Sequence, residues 1–390
     1  MRKTLTAAAL AVLAGTGAVT AVPAPAQADP PPPRSGPAYR PTRPTVAPPA
    51  MPTALSGSTW SSGHVQGLAV DWVGGYAYWS FTNLLVKTNI QTGQVVGTVT
   101  GLTGHLGDLD INPDNGLIYG SLEYKTRQAF YIAVFDGTRI TRTGMNAETD
   151  GVMTTVYLPE VAADYTTGRY GTSGIDGISF GPRLGTTGTA QRNMLIVAYG
   201  ITPDATRTDN DHQVLLTYDI RGWDAYARPL TQTAPHLSGP PHPADKVFIH
   251  TGNTTWGVQS LEYDRHNRLW LMAAYQGTKP QFPNWTLFAV SADVAPQTRP
   301  LAGQPAGTTG RTVPLAPAGT TDPATGIRGW TAPGSVGLET LGDGRIYVVA
   351  SGTTTVNETT QQTGTASLHQ WTGGTPVPFA QVTPLRGKRR

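Results

Sequence analysis

Along most of the chain, apolar and polar residues alternate in short runs that end at Asn-Gly, Asp-Gly or Gly-Gly pairs. Period-two alternation puts every second side chain on one face, and those pairs supply the positive φ of tight turns, so the pattern predicts antiparallel hairpins. The runs also recur as a unit. Five stretches open alike, a small or polar residue leading into an apolar strand, at 64–71, 105–111, 174–180, 257–263 and 334–340. Second strands are predicted at 76–81, 117–122, 194–199, 269–275 and 345–350, and third strands at 84–90, 130–136, 213–220, 285–291 and 366–371. Fourth strands are predicted at 94–100, 152–158, 246–250, 311–315 and 378–382.

Four strands repeating at ~40–80 residues are the signature of propeller blades. The expected fold is all-β: a β-propeller of five blades, each of four antiparallel strands. Six or seven blades, with copies hidden in long loops, is the alternative. Residues 60–383 shared among five blades leave about 65 apiece, so the surplus over a bare blade belongs to loops. Composition agrees, because 46 Gly and 33 Pro among 390 residues are about a fifth of the chain, against an ordinary ~12%. Both residue types weaken helix interiors. The absence of Cys excludes a disulfide framework, a thiolate metal site and a Cys nucleophile.

Strand order selects a face. Turns between first and second strands are short, as at 113–116 and 342–344, whereas loops between second and third strands are mostly long, at 123–129, 200–212, 276–284 and 351–365. In a propeller those long loops share a rim with the entries to the innermost strands, which makes that rim the place for binding or catalysis.

Before the repeats, Met1-Arg2-Lys3, an apolar stretch over 5–22 and Ala26-Gln27-Ala28 form the n-region, h-region and cleavage site of a secretory signal peptide. The expected organisation is a signal peptide at 1–28, a Pro-rich linker at 29–54, the propeller at 55–383 and a basic tail at 384–390. Pro23 and Pro25 interrupt the apolar stretch before a membrane span is reached, so the expected product is a secreted monomer with no membrane span after cleavage. Cleavage removes Arg2 and Lys3 and no acid, which lowers the formal charge from +3 to +1. Such a balance argues against nucleic acid as a partner.

Aligned on their apolar residues, the innermost strands stack polar side chains at the channel mouth. His64 and His105 fall at one blade position, and Gln66, Asp176 and Gln259 share the next one inward. Histidine titrates near neutrality, as proton transfer requires. Off the second strand of the second repeat come Glu123, Tyr124, Lys125 and Arg127, alternating acid and base on a rim loop. Trp256 and Tyr275 offer aromatic faces for a sugar ring beside these amides and cations, whereas Trp285 reads as core. The loop Arg207-Thr208-Asp209-Asn210-Asp211-His212 has oxygens suited to Ca²⁺ but lacks the EF-hand pattern, and a turn capped by its own Asx side chains explains it as well. Neither the presence nor the identity of a metal follows. GxSxG, P-loop and HExxH motifs are absent.

The stretches 64–71, 101–125, 174–181, 251–264 and 279–284 resemble exported bacterial β-propeller proteins of undefined activity. More loosely, the architecture is similar to propeller polysaccharide lyases and glycoside hydrolases, which work at this same rim. The resemblance implies a secreted carbohydrate-active enzyme on an extracellular glycan, a lyase ahead of a hydrolase. As a lyase it would use His64 or His105 as base, Tyr124 as acid, and Lys125 or Arg127 to hold a uronate. As a hydrolase it would pair Asp176 with Glu123. Gln66, Gln259, Trp256 and Tyr275 would bind substrate. The alternatives are a non-catalytic module binding a glycan or a protein, and a metal-dependent lactonase or esterase with Asp176 among the ligands.

Overall fold

The structure, a computed structural model, describes residues 50–187 and 192–383. The expected signal peptide, most of the linker and the basic tail lie outside the described residues. Five antiparallel sheets are arranged as the blades of a propeller. Blade 1 is Val65–Asp71, Tyr76–Phe81, Leu84–Asn89 and Val95–Thr100, in that order from the channel outward. Blade 2 is His105–Ile111, Ile118–Tyr124, Ala129–Phe135 and Met153–Tyr157, and blade 3 is Thr172–Gly181, Met194–Ile201, His212–Tyr218 and Asp245–His250. Blade 4 has three strands, Thr254–Asp264, Leu269–Gln276 and Leu287–Ser291. Blade 5 contributes Leu338–Thr340, Arg345–Val356 and Thr359–Trp371.

One predicted outer strand and one predicted loop need correction, and the outer edge of blade 5 has a strand beyond the expected one. Residues 311–315 are not the fourth strand of blade 4: Thr309–Thr312 pairs parallel with Asp245–His250 and extends blade 3. The free edge of blade 4 is met by Trp330, whose N–H donates to Leu287 O at 2.9 Å and whose O accepts from Leu287 N at 3.0 Å. The outer edge of blade 5 is shared. Phe379–Gln381 takes one end of Thr359–Trp371, and the N-terminal strand Ala54–Trp60 takes the rest, which closes the ring. The chain packs from slightly earlier, because Met51 is buried and Pro52 O accepts from the Tyr347 hydroxyl at 2.6 Å. Residues 351–365, expected as a loop, instead continue two strands into an exposed Thr-rich hairpin, turning at Asn357-Glu358 with positive φ at both residues. An α-helix, Pro159–Thr167, lies between blades 2 and 3 and was not expected from alternation.

Middle strands such as Met194–Ile201 are buried along their whole length, because blades pack on both faces of each sheet. Their runs are therefore continuously apolar rather than alternating. Four hydrophobic clusters fill the gaps between neighbouring blades, anchored by fully buried Trp79, Trp270 and Trp330. Truncating one such Trp to Ala costs about 3–5 kcal/mol, so interblade packing and ring closure do the work that disulfides do elsewhere.

The innermost strands share a second device. The register of four of them slips near the mouth: at Gln66 in blade 1, at Gly107-Asp108 in blade 2, at Asp176-Gly177 in blade 3 and at Gln259 in blade 4. A β-bulge bends its strand and re-aims a side chain. Here four bulges at one level turn polar side chains toward the channel. Just below, four of five blades place a small residue (Gly67, Gly177, Ser260, Gly337) and the fifth places Asp108. Asp108 Oδ2 accepts N–H bonds from Ile178 at 3.1 Å and Leu261 at 2.9 Å, bridging blades 2, 3 and 4.

Candidate functional site at the channel mouth

A cavity of about 460 Å³ opens at the mouth, lined by His64, Gln66, His105, Lys125, Ser173, Asp176, Thr255, Trp256, Gln259 and Tyr275. A shallower groove of about 630 Å³ adjoins it, sharing His105 and Lys125 and adding Glu123, Tyr124 and Arg127. Elements from four blades converge here: entries of innermost strands, and the ends of second strands in blades 2 and 4.

Glu123 organises one wall. Its Oε1 accepts from Lys125 Nζ at 2.9 Å and pairs with His105 Nδ1 at 3.2 Å, and its Oε2 accepts from Ile175 N at 3.1 Å. Asp176 approaches the same ring nitrogen, Oδ1 to Nδ1 at 3.9 Å, and its Oδ2 accepts from Gln259 Nε2 at 2.9 Å. Two glycines make room. A Cβ on Gly107 would lie 2.7 Å from Asp176 Oδ1, and one on Gly174, which sits at φ 131°, would lie 2.0 Å from Glu123 Oε2.

This wall is charged. Burial opposes the charge on His105, but the hydrogen bond to Glu123 and the Asp176 carboxylate outweigh it and raise the ring's pKa above its ordinary value. Burial likewise works against the Lys125 charge and is overcome by Glu123, so its pKa rises. Burial pushes the Asp176 carboxyl up to about 7 against the pull of His105. The same carboxylates thus favour the charged forms of His105 and Lys125 at the cavity, while burial favours the neutral form of Asp176 beside them.

The opposite wall is neutral. His64 Nε2 lies 3.1 Å from Gln66 Nε2 and 3.3 Å from the Tyr275 hydroxyl. Both neighbours can donate, which makes Nε2 the unprotonated nitrogen. Burial, and then the charge of His105, lower the His64 pKa. The two histidines are therefore shifted in opposite directions from the ordinary imidazole value, the arrangement that separates an acid from a base. Trp256, held at φ 64°, exposes 44% of its surface, and Lys125 Nζ sits 5.9 Å over its ring.

Not every predicted residue joins this group. The Tyr124 ring is buried, and its hydroxyl donates to Gln232 Oε1 at 2.9 Å, away from the histidines. Alternation explains why: Glu123 and Tyr124 are consecutive in a strand and face opposite sides. Arg127 lines the outer groove and is exposed. Trp285 packs partly buried against the core between blades 3 and 4. The oxygen-rich loop at 207–212 already holds a cation, the ammonium of buried Lys279, bonded to Arg207 O, Asn210 Oδ1 and Asp211 Oδ1. Ser173 and Thr255, which the sequence reading passed over, complete the lining. Small hydroxyl residues one strand step from a bulge carry no signal of their own.

No protein-family profile and no curated protein matches the chain. Among solved structures it is similar to the β-propeller domain of Myceliophteria thermophila Cps50 (Swd1), at 13% identity over 83% of this chain and 73% of that one, TM-score 0.35. It is similar to the Dos1 propeller, at 13% identity over 79% and 82%, TM-score 0.34. A third likeness is to hydrazine synthase of Kuenenia stuttgartiensis, at 10% identity over 75% of both chains, TM-score 0.33. These are propellers by their descriptions in the first two cases, and at such scores the order of strands, rather than any neighbour, establishes the five-bladed β-propeller.

Proposed function

We propose that the protein is a secreted polysaccharide lyase that eliminates across a uronate at the channel mouth. The observation that carries this reading is the contact of His64, its pKa lowered by burial, with the Tyr275 hydroxyl in a cavity that His105 and Lys125 also line. Lys125 and His105, whose charged forms Glu123 favours, draw the uronate carboxylate and stabilise the charge that grows on it as the neighbouring carbon loses its proton. His64 Nε2 takes that proton, the electron pair becomes a carbon–carbon double bond, and the glycosidic C–O bond breaks. The leaving oxygen takes the proton of Tyr275, and the proton on His64 then returns to Tyr275 across their 3.3 Å contact. Tyr275 replaces Tyr124 in this scheme, because Tyr124 is committed to Gln232. The hydrolase version has less support, since Glu123 already accepts three hydrogen bonds and is only 2% exposed. Residues 1–28 support export.

A second reading, a glycan-binding module, rests on the exposed Trp256 face above the cavity. One assay separates the two. Incubation with uronate-containing polysaccharides is expected to generate the ultraviolet absorbance of unsaturated uronate ends, and Tyr275→Phe is expected to lower that rate about 10²–10⁴-fold. Reducing ends without the absorbance would indicate hydrolysis, and binding without turnover would indicate the module.

A further inference from the structure

Aligned on the buried apolar residue that follows each small position, the innermost strands place Ala69, Asp110, Ser179, Glu262 and Glu339 at one level of the channel, below Asp108. Three of the five are acids. They are 5%, 4% and 1% exposed in the order Asp110, Glu262, Glu339, and an oxygen of each lies within 4.8 Å of an oxygen of the others. We propose that this lower ring is a Ca²⁺ site, built by Asp110, Glu262 and Glu339 and separate from the chemistry at the mouth.

The spacing fits. Ca²⁺ takes oxygen ligands at about 2.3–2.6 Å, so two oxygens on one ion stand at most about 4.6–5.2 Å apart, a limit the three carboxylates meet. Two further atoms point to a missing cation. Glu262 Oε1 and Asp108 Oδ1 are fully buried and have no hydrogen-bond partner among the described residues. Asp108 stands two residues before Asp110 on the same channel-facing side of its strand, directly above the ring. The charged groups acting most strongly on Glu262 are other carboxylates, Glu339, Asp110 and Asp108. Such a buried cluster is relieved either by protons or by a cation, and a cation would meet all of its oxygens at once.

The ligand set is also held in place. Asp110 Oδ2 accepts from Ser179 Oγ at 3.0 Å and Phe180 N at 2.7 Å, and Glu262 Oε2 accepts from Thr340 Oγ1 at 3.1 Å. These bonds tie blade 2 to blade 3 and blade 4 to blade 5, so an ion at the ring would join four blades. Outer partners of this kind orient ligands and tune affinity.

The test uses the full mature chain, stripped with a chelator and titrated with Ca²⁺ or Mg²⁺ by calorimetry and by thermal unfolding. Ca²⁺ is expected to bind as a single ion and raise Tm by several degrees, with Mg²⁺ weaker. Glu262→Gln and Glu339→Gln should each weaken Ca²⁺ binding by at least about tenfold, the cost that even outer-partner losses incur. Both are near-isosteric, and each should unfold at a higher temperature than the stripped wild type because it removes a repelling charge. Ca²⁺ should reverse that order. A stripped wild type that neither binds Ca²⁺ nor gains Tm would overturn the site, as would variants that bind it as tightly as wild type. His64→Ala should bind Ca²⁺ normally, which keeps this result distinct from the fate of the lyase reading.

Discussion

At the mouth of the channel Glu123 is as deeply buried as Glu262 and Glu339 are at the lower ring, yet the three carboxylates live under different rules. Glu123 meets a lysine, a histidine and a backbone N–H, and Lys125 and His105 both reach solvent. Glu262 meets one threonine and three other acids. The same element, the innermost strand and its hairpin partner, builds both places. Position along the strand decides the outcome. At the rim a loop can bring in Lys125, whereas deep in the channel every neighbour is another strand and no long cation can enter. A propeller of this kind thus yields a wet, internally paired site at one level and a dry acidic ring at another.

The largest effect is expected from breaking the neutral wall of the mouth. His64→Ala should lower lyase turnover about 10²–10⁴-fold, the typical loss for a general base. Because burial and His105 hold the His64 pKa below its ordinary value, the acid limb of the rate profile should fall below pH ~6.5. Turnover unchanged in His64→Ala would remove the base from the scheme. A limb that persists at the same pH in His105→Gln would show that His105 does not set it.

Next in size is a change that disturbs one level and leaves the other intact. Gly174 faces Glu123 and lies on blade 3, which contributes no carboxylate to the lower ring. Gly174→Ala places a methyl where Glu123 Oε2 stands, at a φ that L residues rarely adopt, and should cost about 1–3 kcal/mol of stability. The expected signature is lost turnover with Ca²⁺ binding retained. Loss of both together would mean that the two levels are one cooperative unit.

How far these levels were legible in the sequence follows from the same geometry. Hairpin turns and alternation are local, so four of the fourth-strand positions, the rim and the convergence of His64, Gln66, His105, Asp176 and Gln259 could be read without coordinates. Ring closure is not local. Ala54–Trp60 is short, polar and irregular, and only its pairing with a strand some three hundred residues later makes it a strand. The expected strand at 311–315 fails for the same reason: an edge strand carries no signal of which sheet it joins, and Thr309–Thr312 joins blade 3. Tyr124 was within reach, because the alternation that turned Glu123 inward turns its neighbour away. The lower ring left a trace as well. Leu109-Asp110, Leu261-Glu262 and Leu338-Glu339 repeat an acid after the same buried Leu, which becomes a cluster only when blades are superposed.

The smallest expected effect concerns protons at the mouth. Asp176 has its pKa raised to about 7, against about 3.9 in an unfolded chain, so the folded state binds the extra proton. Its contribution to stability is complete below pH ~3.9 and is lost as pH rises through about 7. His105 acts with the same sign: its raised pKa stabilises the fold below pH ~6.5, and that stabilisation fades as pH climbs through the folded value. The stability of the wild type relative to Asp176→Asn, measured in excess Ca²⁺, should therefore decline from pH 4 toward pH 8, by at most about 1.4 kcal/mol per pH unit. Asp176→Asn keeps the Gln259 contact within reach of an amide oxygen and removes the titration, so it should flatten the slope. A slope that survives in Asp176→Asn and vanishes in His105→Gln would assign the proton to the histidine alone. Asp176 would then be ionised beside His105 throughout this range.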